Sequence, residues 1–345
     1  MQGRAADRRV IVAGAAGFIG SHLCDALIDH GFSVVGLDNF RTGQAENIAH
    51  LLNSPGFRFV NADIIDPPPR SLRADIIFNL ACAASPPHYQ ADPIHTMMTS
   101  VAGTRNLLAL AADTGARFVL ASTSEVYGDP LRHPQREDYC GNVNPIGPRA
   151  CYDEGKRAAE ALSFDYLRSG LVETCVARIF NTYGPRMRAD DGRLISNVVT
   201  QALSGDDISI FGDGTQTRSF CYVDDLVEGL LALALTGAPP ASPINLGNPA
   251  EITVAEVARL VLEMTGSRSQ LAALPLPVDD PRRRKPDVSL ANRLLGWRPT
   301  TPLREGLAKT IEWFSRTQNR WGRAEPVRAS RRARSHKPTD VARVI

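Results

Sequence analysis

Tyr152 and Lys156 stand four residues apart in RACYDEGKR, at the start of a segment with helical spacing. Residues at i and i+4 share a helix face, so a phenol and an ammonium can meet over one site. A cation beside a phenol favours the phenolate. Moving a tyrosine from a pKa of ~10 towards neutrality takes about 4 kcal/mol of differential stabilisation. The product is a base that can take a proton from an alcohol. A tyrosine four residues before a lysine is common, and a surface tyrosine is its default reading. A second cluster changes that balance. The apolar run Phe118-Val119-Leu120 ends in ASTSEVYG, which places Thr123, Ser124 and Glu125 together. Small polar groups at the C-terminal end of a buried strand often face a ligand in α/β proteins. Thr123, Tyr152 and Lys156 form a working set for converting an alcohol to a ketone and back.

That chemistry needs a hydride acceptor, and the start of the chain predicts where one binds. GAAGFIG follows a short strand, Val10-Ile11-Val12-Ala13, and opens a helix. Its glycines, Gly14, Gly17 and Gly20, permit a tight turn, close approach of a pyrophosphate and close helix–strand packing. A second strand, Phe32 to Leu37, leads into Asp38, eighteen positions after Gly20. An acid there accepts hydrogen bonds from an adenosine ribose and repels a 2′-phosphate, which favours NAD over NADP. The positive ring of the oxidised cofactor would further favour the Tyr152 phenolate. Asp63, closing a third strand, is a candidate for the adenine side.

Elements must hold these residues in place. Strands are expected at Phe57 to Asn61, Asp75 to Leu80, Phe118 to Ala121 and Thr174 to Ile179, with a helix from Ser21 to His30 and Gly31 beyond its end. Strands alternating with helices imply an α/β fold with a parallel, doubly wound sheet. After Gly184-Pro185 the texture changes, as in RMRADDGR and FGDGTQTRSF, which suggests a smaller lobe, and Asn245-Leu246-Gly247 is expected to return to the sheet. The expected division is a nucleotide-binding domain over 8–184, completed by 220–248, and a second lobe from 185–219 and 249–316. The Arg-rich stretch 317–345 reads as a solvated tail, disordered from about Asn319.

The 345 residues carry 43% hydrophobic and 22% charged side chains, as in soluble enzymes, and a net charge of +2 gives no argument for nucleic acid or membrane binding. Six cysteines without a C-x-x-C pair read as free thiols in a reducing compartment, which points to the cytoplasm and to no zinc site. The polar start and the lack of a long apolar run predict neither a signal peptide nor a membrane span.

The motifs together resemble the extended short-chain dehydrogenase/reductase family. LASTSEVYGDP, NPIGPRACYDEGKR, ARIFNTYGPRM, DGR, VDDLVEGL, NLGNP and RKPD occur in the order seen in its UDP-glucuronate decarboxylase branch, over about residues 9–315. The resemblance implies a Rossmann-type domain holding NAD, a smaller C-terminal lobe for the substrate UDP-glucuronate, and a homodimer. It implies that Thr123 and Tyr152 hold the oxidised hydroxyl, that Lys156 supports Tyr152, and that Ser124, Glu125 and Arg284 serve decarboxylation. Cofactor contacts are expected from Gly14, Gly17, Phe18, Ile19, Gly20, Asp38, Asn39, Thr42, Gly43, Asp63, Ile64, Leu80, Tyr152 and Lys156. Substrate contacts are expected from Asn181, Arg188, Arg193, Arg218 and Arg284; guanidinium forks suit a diphosphate. No metal is expected. Four positions depart from the pattern: Ala15 in the glycine loop where the family often has Gly, Cys82 where relatives commonly have Ser, Met98 where they have Lys, and Ser100 where they have Asn. Alternatives are a nucleotide-sugar 4,6-dehydratase, whose Thr-Asp-Glu is here Thr123-Ser124-Glu125, a C4-epimerase, and an NAD-binding scaffold without catalysis.

Overall fold

The computed structural model describes residues 8–275 and 283–321. The chain runs through β1 (Arg9–Ala13), α1 (Phe18–Asp29), β2 (Ser33–Asp38), β3 (Phe57–Asn61), β4 (Ile76–Asn79), α2 (Pro86–Ala91), α3 (Pro93–Met98), α4 (Thr104–Thr114), β5 (Arg117–Thr123) and α5 (Ala150–Arg168). It continues through β6 (Thr174–Ile179), β7 (Thr182–Tyr183), α6 (Leu194–Ser204), β8 (Ile208–Phe211), β9 (Thr217–Ser219), β10 (Cys221–Tyr222) and α7 (Val223–Ala234). Then come β11 (Ile244–Leu246), β12 (Glu251–Thr253), α8 (Val254–Thr265), β13 (Leu271–Leu274), β14 (Arg283–Arg284), α9 (Ser289–Leu295) and α10 (Leu303–Trp321).

Seven strands form one sheet in the order β11-β6-β5-β4-β1-β2-β3, with every neighbouring pair parallel. Helices cover both faces, which is why β1 reads as an unbroken apolar run. Val10 and Val12 pack into one apolar cluster while Ile11 and Ala13 pack into another. The strand order reverses between β1 and β4, so a crevice opens at their C-terminal ends. Leu246 of β11 pairs with Ile179 of β6, which is the expected return to the sheet. Away from the main sheet, β9 lies antiparallel to β12 and parallel to β14, and β8 pairs with β13.

Some boundaries differ from the sequence expectation. α1 starts at Phe18 rather than Ser21, because Gly17 is already extended (φ −72°, ψ 171°) and feeds directly into the first turn. Gly31 does adopt the left-handed conformation, φ +81°, and its N–H reaches Ile28 O at 2.8 Å. α10 runs to Trp321, past the expected end of order, because its Leu307 and Phe314 are buried against the core. The rest of the basic tail lies outside the described residues. Between α3 and α4, Thr99–Gly103 forms a π turn that buries Ser100 and sets Gly103 against Ile64.

A polar network is buried beneath the C-terminal end of β5. Ser122 Oγ donates to Glu160 Oε1 at 2.5 Å, and Arg178 Nη2 donates to Glu160 Oε2 at 2.8 Å. Arg178 Nη1 also donates to Tyr127 Oη at 3.0 Å, and that hydroxyl donates to Asn245 Oδ1 at 2.7 Å. This joins β5, α5, β6 and β11. Removing one member of a buried ion pair leaves a charge without compensation, a loss of about 3–5 kcal/mol. Glu160→Ala should therefore lower the unfolding free energy by about 3 kcal/mol in denaturant titrations. A drop under about 1 kcal/mol would mean that Arg178 needs no such partner.

Candidate active site

The crevice is lined by the glycine loop after β1, the end of β5, the start of α5 and the loop before α6. Gly14 (φ +83°) and Gly20 could not carry a side chain. A Cβ on Gly14 would lie 2.9 Å from Ala81 N, and one on Gly20 only 2.0 Å from Gly14 O. No side chain caps α1, so its first N–H groups are available to phosphate oxygens. At the end of β2, Asp38 Oδ2 accepts from Ala16 N at 2.9 Å and Oδ1 from Phe40 N at 2.8 Å. Burial raises its pKa although these N–H groups pull the other way. Each carboxylate oxygen keeps a lone pair for a ribose hydroxyl. The donor and acceptor set thus fits NAD. Asp63 accepts from Asn39 Nδ2 and is paired with His95 Nε2, both at 2.8 Å. Burial pushes Asp63 up, but hydrogen bonds from Ile65 N, His95 and Asn39 outweigh it and hold it below the usual range.

Thr123, Tyr152 and Lys156 converge in the crevice and are all buried. Tyr152 stacks on Tyr89 with ring centroids 5.1 Å apart, and it shares a hydrogen bond with Thr123. Lys156 Nζ lies 5.9 Å from the Tyr152 ring centroid and donates to Ala121 O at 2.8 Å. Without the cofactor's ring, the second charge that the expected phenolate draws on, Lys156 does not bring the phenol's pKa down. Burial, then Cys82, pushes Tyr152 up, and the Thr123 hydrogen bond offsets this only in part. Lys156 is itself buried, its own pKa lowered by desolvation, and its ammonium is aimed at a carbonyl. The protein alone holds Tyr152 as a neutral phenol.

Glu125 follows Thr123 on a single 3-10 turn, Ser124–Tyr127. Its carboxylate is gripped by two arginines. Arg284 Nη1 and Nη2 donate to Oε1 at 2.5 Å and Oε2 at 2.6 Å, and Arg149 Nη2 donates to Oε2 at 2.8 Å. Burial raises the Glu125 pKa, but Arg284 and then Arg149 outweigh it, so the net direction is downward and Glu125 is ionised. Asp153, one turn along α5 from Arg149, is buried with Oδ1 lacking a hydrogen-bond partner. Burial, then the Glu125 charge, pushes Asp153 up to about 7. Two guanidiniums thus meet one ionised acid here, and Asp153, with its pKa near 7, is only partly ionised at neutral pH.

A sequence profile of the NAD dependent epimerase/dehydratase family matches residues 10–247. The chain belongs to that family. UDP-glucuronic acid decarboxylase 1 of Danio rerio is 51% identical over 309 residues, covering 90% of this chain and 73% of that protein. Epimerase Mth375 of Methanothermobacter thermautotrophicus superposes with a TM-score of 0.85 at 29% identity, covering 92% of this chain and 95% of that one. The UDP-glucuronic acid 4-epimerase of Bacillus cereus, solved with UDP-glucuronic acid and NAD, superposes with a TM-score of 0.80 at 29% identity, covering 89% and 99%.

Within this epimerase/dehydratase fold the expected residues fall into two groups. Gly14, Gly17, Phe18, Ile19, Gly20, Thr42, Leu80, Thr123, Ser124, Glu125, Tyr152, Lys156, Asn181, Arg188 and Arg193 line the crevice. Asp38, Asn39, Gly43, Asp63, Ile64, Arg218 and Arg284 are not among the lining residues. Gly43 packs on Asp38, Ile64 on Gly103, and Arg218 lies opposite Arg284 in the β9–β14 pair. Arg188 and Arg193 are each paired with a nearby acid, Asp190 and Asp191.

Sequence reading missed Arg149, Asp153, His95 and Arg186. Arg149 and Asp153 flank Tyr152 in the quoted motif, so their spacing, three before and one after, was the available signal. Arg186 lines the crevice in a left-handed conformation, φ +68°, with Nη2 on Asp25 Oδ2 at 2.7 Å and Nη1 lacking a hydrogen bond. Two of the departures touch: Cys82 Sγ lies 3.4 Å from Ser100 Oγ, whereas Met98 is largely exposed.

Asp153 supplies a pH test. A carboxyl whose folded pKa is raised from 3.8 to about 7 contributes stability that is complete below pH 3.8 and lost as the pH rises through 7. Asp153→Asn cannot ionise and escapes that loss. The melting temperature of the variant minus that of wild type should rise by a few degrees between pH 5 and pH 8, on the order of 1–2 kcal/mol. A difference that stays constant over this range would refute the raised pKa.

Proposed function

We propose that the protein decarboxylates UDP-glucuronate: UDP-glucuronate and one proton give UDP-xylose and carbon dioxide, with no net change in NAD. The observation that carries this reading is the Glu125–Arg284–Arg149 cluster immediately beyond Thr123 and Tyr152. Its support in the comparisons is the near-half identity to proteins named UDP-glucuronic acid decarboxylase over most of the chain. NAD, when bound, supplies the acceptor for the hydride lost from C4 and returns it at the end.

The chain's residues do the rest. Tyr152 and Thr123 hold the C4 hydroxyl, and Tyr152 takes its proton as the alcohol becomes a ketone. The positive charge that burial of Tyr152 demands comes from Lys156 together with the bound cofactor's ring. A C4 ketone makes the neighbouring carboxylate a β-keto acid, so the C–C bond can break with its electrons moving into an enolate. Thr123 and the reprotonated Tyr152, a neutral phenol in this pocket, donate hydrogen bonds to the developing oxyanion, an effect worth a few kcal/mol. The guanidiniums of Arg284 and Arg149 favour entry of the substrate carboxylate, and protonation at C5 completes the loss of carbon dioxide.

Ser124 stands where a dehydratase needs its acid, which argues against water loss. An epimerase needs no Glu125–Arg284 pair. We assign nucleotide-sugar contacts to Asn181, Arg188, Arg193 and Arg218, and cofactor contacts to the residues around Asp38 and Asp63. The domain division at 184, with 220–248 completing the nucleotide-binding part, belongs to the same proposal. So do a homodimer, a cytoplasmic location and the lack of a nucleic-acid or membrane partner. Among the described residues no helix is long and apolar enough to cross a membrane.

NMR of an incubation with UDP-glucuronate should show UDP-xylose and carbon dioxide without net NADH. UDP-galacturonate as the main product would make the protein an epimerase instead. Tyr152→Phe should lower turnover by about 10²–10⁴ while NAD stays bound; near-normal turnover would remove Tyr152 as the base. Glu125→Gln keeps shape and removes charge, and an unchanged rate would leave Glu125 an architectural part only.

A further inference from the structure

Arg284 reaches Glu125 from a two-residue strand, so its aim depends on what holds its backbone. The peptide that joins Arg284 to Lys285 is held from both sides by buried side chains. Ser219 Oγ donates to Arg284 O at 3.2 Å, and Lys285 N donates to Gln135 Oε1 at 2.8 Å. Gln135 N donates to Lys285 O at 2.9 Å, and Asp287 N donates to Gln135 O at 2.8 Å. Gln135 Nε2 donates to Arg132 O at 2.8 Å, which turns the amide so that its oxygen faces Lys285. Gln135 and Ser219 are each 1% exposed, and neither lines the crevice.

The same set also grips the other half of the ion pair. Asn245 Nδ2 donates to Gln135 O and to Asp287 O, both at 3.1 Å, while Asn245 Oδ1 accepts from Tyr127 Oη. Tyr127 ends the turn that carries Glu125. A closed ring results: Glu125, its turn, Tyr127, Asn245, Gln135, the Lys285 peptide, Arg284 and back to Glu125. An arginine side chain magnifies any rotation of its own peptide, and small misplacements at a reacting centre cost large factors in rate.

We infer that Gln135 and Ser219 are positioning residues for the decarboxylation step, acting through the Arg284–Lys285 peptide to set where the Arg284 guanidinium meets Glu125. This rests on the decarboxylase reading above. The test separates the two chemical steps in single turnovers with UDP-glucuronate: absorbance of NADH reports C4 oxidation, and trapped carbon dioxide reports C–C cleavage. Gln135→Leu keeps volume and loses the acceptor. It should slow carbon dioxide release by about 10-fold and leave NADH formation within about 2-fold, so that NADH builds up transiently. Ser219→Ala should do the same more weakly. Added to Arg284→Met, Gln135→Leu should slow release no further, because its effect passes through that guanidinium.

Equal slowing of both steps, unchanged release, or a full additional loss in the Arg284→Met background would each overturn the inference. Retained NAD and melting temperature check that each variant is folded; if Gln135→Leu does not fold, Ser219→Ala decides by the same step-selective criterion. A wild-type protein that releases no carbon dioxide from UDP-glucuronate would overturn the functional reading instead.

Discussion

A carboxylate withdrawn from water has to be compensated, and at Glu125 the compensation comes from two guanidiniums at very different places in the chain. Arg149 is 24 residues away and Arg284 is 159. Desolvating such charges costs several kcal/mol each unless geometry and hydrogen bonding are good. The end of β5, the start of α5 and the strand after β13 must therefore meet at one point. The smaller β9–β12–β14 sheet exists, in this sense, to deliver one arginine to one glutamate. The buried Glu160–Arg178 pair beneath them holds the strand end on which both halves converge.

Burial and charge compete differently at neighbouring positions. At Glu125 two short bidentate and monodentate contacts overcome desolvation. At Tyr152 and Asp153 desolvation wins: the phenol keeps its proton, and the carboxyl, pushed up to about 7, is divided between its two forms near neutrality. One ionised acid, one acid titrating near neutrality and one neutral phenol thus lie within a turn of helix and a turn of strand end. Both acids feel Arg284 and Arg149, but only Glu125 is hydrogen-bonded by them, while Asp153 also meets the Glu125 charge.

The parts legible in the sequence were those governed by local rules. The glycine loop, the apolar strands and the Tyr152–Lys156 spacing each announce themselves within a few residues, and the motif order carried the family. What local rules cannot report is direction and competition. The Tyr152–Lys156 spacing predicts a phenolate held by a lysine and the cofactor's ring; in space the ammonium turns to Ala121 O, which leaves more of that task to the ring. Arg149 and Asp153 sat inside the quoted motif, yet only tertiary packing shows that they join Glu125. Gln135 had no signal, since a buried glutamine whose partners are backbone groups 150 residues away leaves no periodicity. Helix ends shifted for the same reason: α10 runs on because Phe314 finds a core.

The contact between Cys82 and Ser100 bears on how far either position can change alone. The Cys82 thiol meets Ser100 where that residue is buried on the π turn. Ser100 has little room: a Cβ on Gly155 would lie 3.1 Å from the Ser100 Cβ. An asparagine at 100 has to find space against α5 and a new partner in place of the thiol. Substitutions at 82 and 100 should therefore not be additive, because each changes the partner that the other packs against.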